Sequence, residues 1–141
     1  MRAPWHLWVI GVVALVWNAG GAYDYLMTQL GNEAYLAMLT EPQRAFMDAR
    51  PVWMDAAWAV GVWFSILGSL LLLLRSRHAA TAFLISILGL IVTAVWSYGV
   101  ADPSGIEVMG SFSVWFSLAV MTVLIALWVY ARAMTARGVL R

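Results

Sequence analysis

Seven acidic side chains and two histidines carry most of the acid–base potential of this chain, which has no cysteine. Two of the acids, Asp24 and Asp55, fall about one turn inside the ends of long apolar stretches. At that depth in a membrane, an ionisable group faces a bundle interior or a wet cavity. Asp24 is flanked by Tyr23 and Tyr25, with Gln29 a turn later, and Asp55 is followed by Trp58. A carboxylate beside aromatic faces can accept the hydroxyls of a sugar while a ring stacks on its C–H face. The same set can hold an organic cation by charge and ring quadrupole. A plainer reading has Asp55 complement the positive N-terminus of its helix, while Asp24 pairs with Arg44 or Arg50. Asn18, in the middle of the first stretch, needs a partner because an unsatisfied amide in hydrocarbon is costly. Ser65, Thr93, Trp96 or a backbone carbonyl would supply one, and a bound ligand is the alternative.

Catalysis is not expected. Two carboxylates about 5–10 Å apart can share acid and base roles, but no nucleophile, histidine partner or metal cluster accompanies Asp24 and Asp55. His6 and His78 lie at the opposite edge of the spans, and the serines and threonines sit in packing stripes with no base in reach. Without cysteine there is no disulfide, thiolate or Cys-ligated metal, and two histidines do not complete a metal site, so no cofactor is expected. Gly20-Gly21 lies inside a span and lacks the strand context of a phosphate loop. Eight basic against seven acidic residues give a net charge of +1, which provides no basic face for nucleic acid.

The elements that must position these groups are membrane helices. The chain is 64% hydrophobic and 11% charged, against roughly half and a quarter in soluble domains. Four apolar stretches, at about 5–27, 52–74, 79–100 and 106–131, each match the roughly 20 residues that cross a bilayer. The connections are a polar segment at 28–51, an Arg75-Ser76-Arg77-His78 turn and an Ala101-Asp102-Pro103-Ser104-Gly105 turn. Arg2, an apolar run and Ala19-Gly20-Gly21-Ala22 resemble a cleaved leader. The apolar character continues past Ala22, so a retained first span is expected.

Arginine placement sets the expected orientation. Arg2, Arg75, Arg77, Arg132, Arg137 and Arg141 fall on one side, and Arg44 and Arg50 fall on the other with all seven acids. Six against two places both termini in the cytoplasm, with the first loop outside. Trp5, Trp8, Trp53, Trp128 and Tyr130 sit where interfacial anchors belong.

Small and weakly polar residues mark the expected seams, because helices in lipid associate through close packing. The stripes are Gly11, Ala14, Asn18, Gly21 and Tyr25; then Trp58, Gly61, Ser65, Gly68 and Leu72; then Ala82, Ser86, Gly89, Thr93 and Trp96; and finally Gly110, Ser113, Ser117 and Val120. Their spacing of three and four predicts an all-α, up-down, left-handed four-helix bundle in one membrane domain. Leu70 to Leu74, Ile85, Leu88, Val92 and Val95 are expected to face lipid largely. In the first loop, Thr40-Glu41-Pro42-Gln43 reads as a capping box that opens a short helix, with a further turn or two between Asn32 and Leu39.

The run from Trp17 to Gln29, Asn32 to Leu36, Glu41 to Phe46 and Leu71 to Arg77 resembles a family of small, four-span proteobacterial inner-membrane proteins. The arginine-bearing tail from Tyr130 to Arg141 resembles it more loosely. Members often carry the label sugar transporter, so the resemblance implies an inner-membrane four-span fold and, through the label, solute transport. Sugar carriers built from three-helix units break a membrane helix at a Pro-Gln pair, whereas Pro42-Gln43 belongs to a loop here. Four-span multidrug exporters carry a deep carboxylate in the first helix, where this chain has Asn18.

The resulting expectation is a protein that binds or transports a small polar solute, sugar-like or cationic. Its outward mouth would be lined by Asn18, Tyr23, Asp24, Tyr25, Gln29, Asp55, Trp58 and Trp96, with Tyr98 nearby. A lone four-helix bundle encloses little space, so a homo-oligomer or a partner membrane protein is expected. The alternative is a non-catalytic accessory subunit of a larger membrane complex.

Overall fold

The computed structural model describes residues 2–102 and 104–141. Four helices are long and apolar enough to cross a membrane: Trp5–Gln29, Val52–Leu73, Ala79–Val100 and Ser111–Ala136. The chain is an all-α four-helix bundle with the composition of a multi-pass membrane protein. In chain order the elements are α1 (Trp5–Gln29), α2 (Glu33–Leu36), α3 (Glu41–Asp48), α4 (Val52–Leu73) and α5 (Ala79–Val95), then α6 (Gly105–Met109) and α7 (Ser111–Ala136). The last turn of the third span, Trp96–Val100, widens into a π-helix.

Local chemistry sets the boundaries. Pro4 and Pro51 occupy the N-cap positions of α1 and α4 in extended conformation, which suits a residue without an N–H to donate. Thr40 and Gln43 form the reciprocal capping box of α3, and Ser104 and Glu107 form another at α6. The fourth span therefore begins later than the apolar run at 106 suggests. Gly110, at φ +83°, separates α6 from α7, a backbone state that residues with a Cβ rarely adopt.

The long helices pack as a row, α1 on α4, α4 on α5 and α5 on α7. The α4–α5 seam is the tightest. A Cβ built on Gly89 would stand 2.7 Å from the Ala57 carbonyl oxygen and 2.8 Å from the Gly61 nitrogen. Glycine there lets two backbones touch, and the Ser86 hydroxyl donates across the seam to the Gly61 carbonyl at 2.5 Å. Gly68 similarly receives the ring of Phe83, which is fully buried.

α1 and α7 close the row only at the end that carries the chain termini. There Leu7, Leu72, Phe83, Leu124, Ala131 and Met134 form one buried cluster. His6 of α1 meets the Tyr130 hydroxyl of α7 in the same region. The C-terminal tail folds back over this end. Val139 and Leu140 are buried, Arg77 N–H donates to the Arg141 carbonyl at 3.0 Å, and Arg141 N–H donates to the Arg75 carbonyl at 2.9 Å. These bonds hold Arg75 at φ 57°, where it turns the chain from α4 into α5.

At the opposite end α3 lies over the bundle. Phe46, Met54 and Trp96 form a second small core, with Met47, Val108 and Met109 around it. Between the two cores, α1 and α7 share no comparable seam among the described residues.

Three packing expectations change accordingly. Gly21 is exposed, with nothing within 4 Å of a built Cβ, and the neighbouring Ala22 is buried instead. In α7 the stripe from Gly110 to Val120 is not buried. That helix packs through Leu124, Leu127, Ala131 and Met134, because its other half has no α1 to meet. Within the Leu70 to Leu74 run expected toward lipid, Leu72 is fully buried, as its place in the α4 stripe implies, whereas Leu88, Val92 and Val95 are exposed as expected.

Candidate functional site

The gap between the two cores is a cavity of about 860 Å3, within the roughly 300–1,000 Å3 of small-molecule sites. α1 contributes Val16, Trp17, Asn18, Gly20, Gly21 and Asp24, and α7 contributes Phe116, Ser117, Val120, Met121 and Leu124. Since α1 runs from Val16 to Asp24 along this wall, the cavity is about 12 Å deep at 1.5 Å per residue. Val16, Trp17, Asp24 and Phe116 are all exposed, so the cavity opens sideways between α1 and α7 and upward beside α2.

Its lining is mostly apolar and includes Leu124, Leu90 and Val62. Asn18 sits on the wall, buried, and its amide donates to the Ser69 hydroxyl at 3.0 Å and the Ser65 carbonyl at 3.3 Å. Ser69 in turn donates to the Ser65 carbonyl at 2.9 Å. The amide that the sequence left in hydrocarbon is therefore satisfied across the α1–α4 seam. Opposite, Tyr98 lines the cavity and its hydroxyl bonds the Ser113 carbonyl at 3.1 Å and the Ser117 hydroxyl at 2.9 Å.

The mouth carries the charge. Asp24 stands on its rim and accepts a hydrogen bond from the Tyr35 hydroxyl of α2. Burial, reinforced by that bond and by the negative charge of Asp24, raises the Tyr35 phenol above its ordinary value. Arg50, which precedes α4, also lines the cavity and is only 10% exposed. Its Nε donates to the Met47 carbonyl at 2.7 Å and lies 3.3 Å from Asp55 Oδ1. The guanidinium stacks 4.9 Å above the Trp58 ring. Its Nη1 is buried with no hydrogen-bond acceptor.

Of the expected site residues, Asn18, Asp24 and Trp58 line the cavity. Asp55 stands behind Arg50 in the first turn of α4, and Trp96 packs on Phe46 in the second core with ring centroids 5.1 Å apart. Tyr25 sets its edge against Trp58 at 5.0 Å, Tyr23 packs edge-on to Tyr35 at 6.1 Å, and Gln29 is exposed; none of these three lines the cavity. Asp24 pairs with neither arginine, because Arg44 reaches Glu33 at 3.6 Å and Arg50 takes Asp55. Sequence reasoning missed Arg50 and Tyr35 as site groups. The available signal was an arginine directly ahead of Pro51, within reach of the first two turns of a span that carries Asp55 and Trp58.

No group of three or more His, Asp or Glu side chains among the described residues is placed to hold a metal ion. Comparison of the chain with protein families, curated proteins and solved structures finds no match.

Proposed function

We propose that this chain is a bacterial inner-membrane protein, with both termini cytoplasmic, that binds a small molecule in the cavity between α1, α4, α5 and α7. The observation that carries the reading is the cavity itself, about 860 Å3 with a mostly apolar lining, the buried Asn18 among it, and Asp24 and Arg50 at its mouth. A few polar groups in a mostly apolar chamber is the usual composition of a ligand site. The core cluster around Leu7, Leu124 and Met134 closes the chamber toward the termini, which favours binding over open passage in this conformation. A solute carrier of the kind the family resemblance implies would need that cluster to part.

Native mass spectrometry of the protein from mild detergent tests the site. A retained small-molecule adduct is expected, and Ala94→Trp or Val120→Trp, which fill the chamber, should abolish it. An adduct indifferent to both substitutions refutes the site. Orientation is read separately on single cysteines, since the chain has none of its own. Met38→Cys should label from outside and His78→Cys only from inside.

A second reading, an accessory subunit, draws on α7. Phe112 and Trp115 are 76% and 71% exposed beside Phe116, an aromatic face suited to another membrane protein. A stoichiometric partner in mild-detergent pull-down supports it, and loss of that partner in Trp115→Ala assigns the face.

A further inference from the structure

Resting on the reading of the cavity as a ligand site, we infer that its occupant is a lipophilic organic cation, with its apolar body in the chamber and its positive charge beside Asp24. The lining disfavours a strongly hydrophilic guest. Asn18 donates to Ser65 and Ser69, the Ser65 hydroxyl to the Val62 carbonyl at 2.6 Å, the Thr93 hydroxyl to the Leu90 carbonyl at 2.8 Å, and the Tyr98 hydroxyl to the Ser113 carbonyl. These groups direct their donors to protein acceptors, so a polyol in the chamber would give up hydrogen bonds to water without replacing them. The lining is otherwise mostly apolar, with Trp17, Val62, Leu90, Phe116 and Leu124, and favours burial of hydrocarbon or aromatic rings.

The sign of the guest follows from the charges at the mouth. Arg50 is matched by Asp55 at 3.3 Å and stacked on Trp58, and Glu33 is matched by Arg44 at 3.6 Å. Asp24 differs. Its carboxylate is exposed, borders the cavity and accepts a hydrogen bond from the neutral Tyr35 hydroxyl; among the described residues it has no basic partner. An arriving cation therefore meets this carboxylate without breaking an ion pair, whereas an anion is repelled by it. The whole end reinforces the preference, because seven carboxylates stand there against Arg44 and Arg50, a field that draws cations to the mouth. Trp17 lies two turns before Asp24 on the same face of α1, and Phe116 lines the cavity from α7. A diffuse charge, such as a quaternary ammonium or phosphonium, suits this setting, since it needs no hydrogen bond from the lining and is attracted by aromatic rings. The sideways opening between α1 and α7 admits such a molecule from the bilayer.

Binding of three probes to the full chain in nonionic detergent tests this, by native mass spectrometry and quenching of tryptophan fluorescence. Tetraphenylphosphonium and tetraphenylborate share a shape and differ in sign, and tetramethylammonium carries the charge without the rings. Tetraphenylphosphonium should bind, Val120→Trp should abolish its binding, and tetramethylammonium should bind far more weakly. Asp24→Asn should weaken the phosphonium about two- to fivefold, the worth of an exposed ion pair, and strengthen the borate. Neither general destabilisation nor partition into the micelle produces that reversal. Asp48→Asn, an equal loss of charge at the end of α3 and off the lining, should change both less than Asp24→Asn does. If Asp24→Asn shifts the two ions alike, or shifts neither, the cation is overturned, and the cavity reading stands provided Val120→Trp displaces them. Tetramethylammonium binding as tightly as the phosphonium overturns the role of the apolar body. If no probe binds while another adduct is displaced by Val120→Trp, the cation is wrong and the cavity reading stands. With no adduct of any kind, both fall.

Discussion

Replacing Gly89 with alanine tests the seam on which the cavity is hung. The added Cβ would lie 2.7 Å from the Ala57 carbonyl oxygen, 2.8 Å from the Gly61 nitrogen and 3.2 Å from the Gly61 Cα. All three are backbone atoms, so no side chain can swing aside and α4 and α5 must separate. Overpacking of this kind costs about 1–3 kcal/mol. Separation also stretches the Ser86 to Gly61 hydrogen bond, now 2.5 Å, at about 0.6–1.7 kcal/mol for an interhelical bond in a membrane. Alanine returns about 1 kcal/mol through helix propensity. The net expectation is destabilisation by about 1–3 kcal/mol. The same substitution at Gly20 or Gly21, where no atom lies within 4 Å of a built Cβ, should leave stability unchanged or raise it by up to about 1 kcal/mol. Reversible unfolding in mixed micelles, followed by tryptophan fluorescence, measures all three variants on one scale. If Gly89→Ala is as stable as Gly20→Ala, the backbone contact between α4 and α5 is not as described.

Three further expectations concern other parts of the fold. Asn18→Leu removes the donor to Ser65 and Ser69 and should lower stability in the same assay by about 0.6–2 kcal/mol. Leu140→Ala, at a tail residue only 2% exposed, should cost about 2–5 kcal/mol and expose the C-terminus to carboxypeptidase; unchanged resistance would show that the tail does not dock. Tyr35 is neutral in the fold and its phenol is raised above the ordinary value. Its contribution to docking α2 is therefore complete below pH about 10, the unfolded value, and is lost only as pH rises through the higher folded value. Ultraviolet titration should show the late-titrating tyrosine absorbance fall by one residue in Tyr35→Phe.

What could be read in advance depended on whether the determining contacts were local. The capping box of Thr40 and Gln43 lies within one turn, and composition alone reveals four spans. The stripes of α4 and α5, Gly61-Ser65-Gly68 and Ala82-Ser86-Gly89, emerged as a seam because each found the other. In α7 the same pattern, Ser113, Ser117 and Val120, lies outside the buried core. Small residues permit approach without compelling it, so their spacing cannot separate a seam from a chamber wall. Arg50 was hidden for a different reason. As a loop residue it reads as a solvated charge, and although Met47, Asp55 and Trp58 all stand within eight positions of it, their meeting around the guanidinium depends on how the chain turns from α3 into α4.

His6 meets Tyr130 at one end of the row, and toward Ser111 the ties of α7 run to the third span, through Tyr98 to Ser113 and Ser117, so a swing of α7 away from α1 pivots near the termini and works against those two bonds. Ser111 stands roughly 28 Å along the helix axis from Tyr130, so a tilt of about 5° displaces it by about 2.5 Å. Gly110, at φ +83° and with nothing within 4 Å of a built Cβ, offers the slack joint such a swing requires. The width of the slot between Trp17 and Phe116 is thus geared to small rotations at the far end, where the arginine-rich tail is fastened.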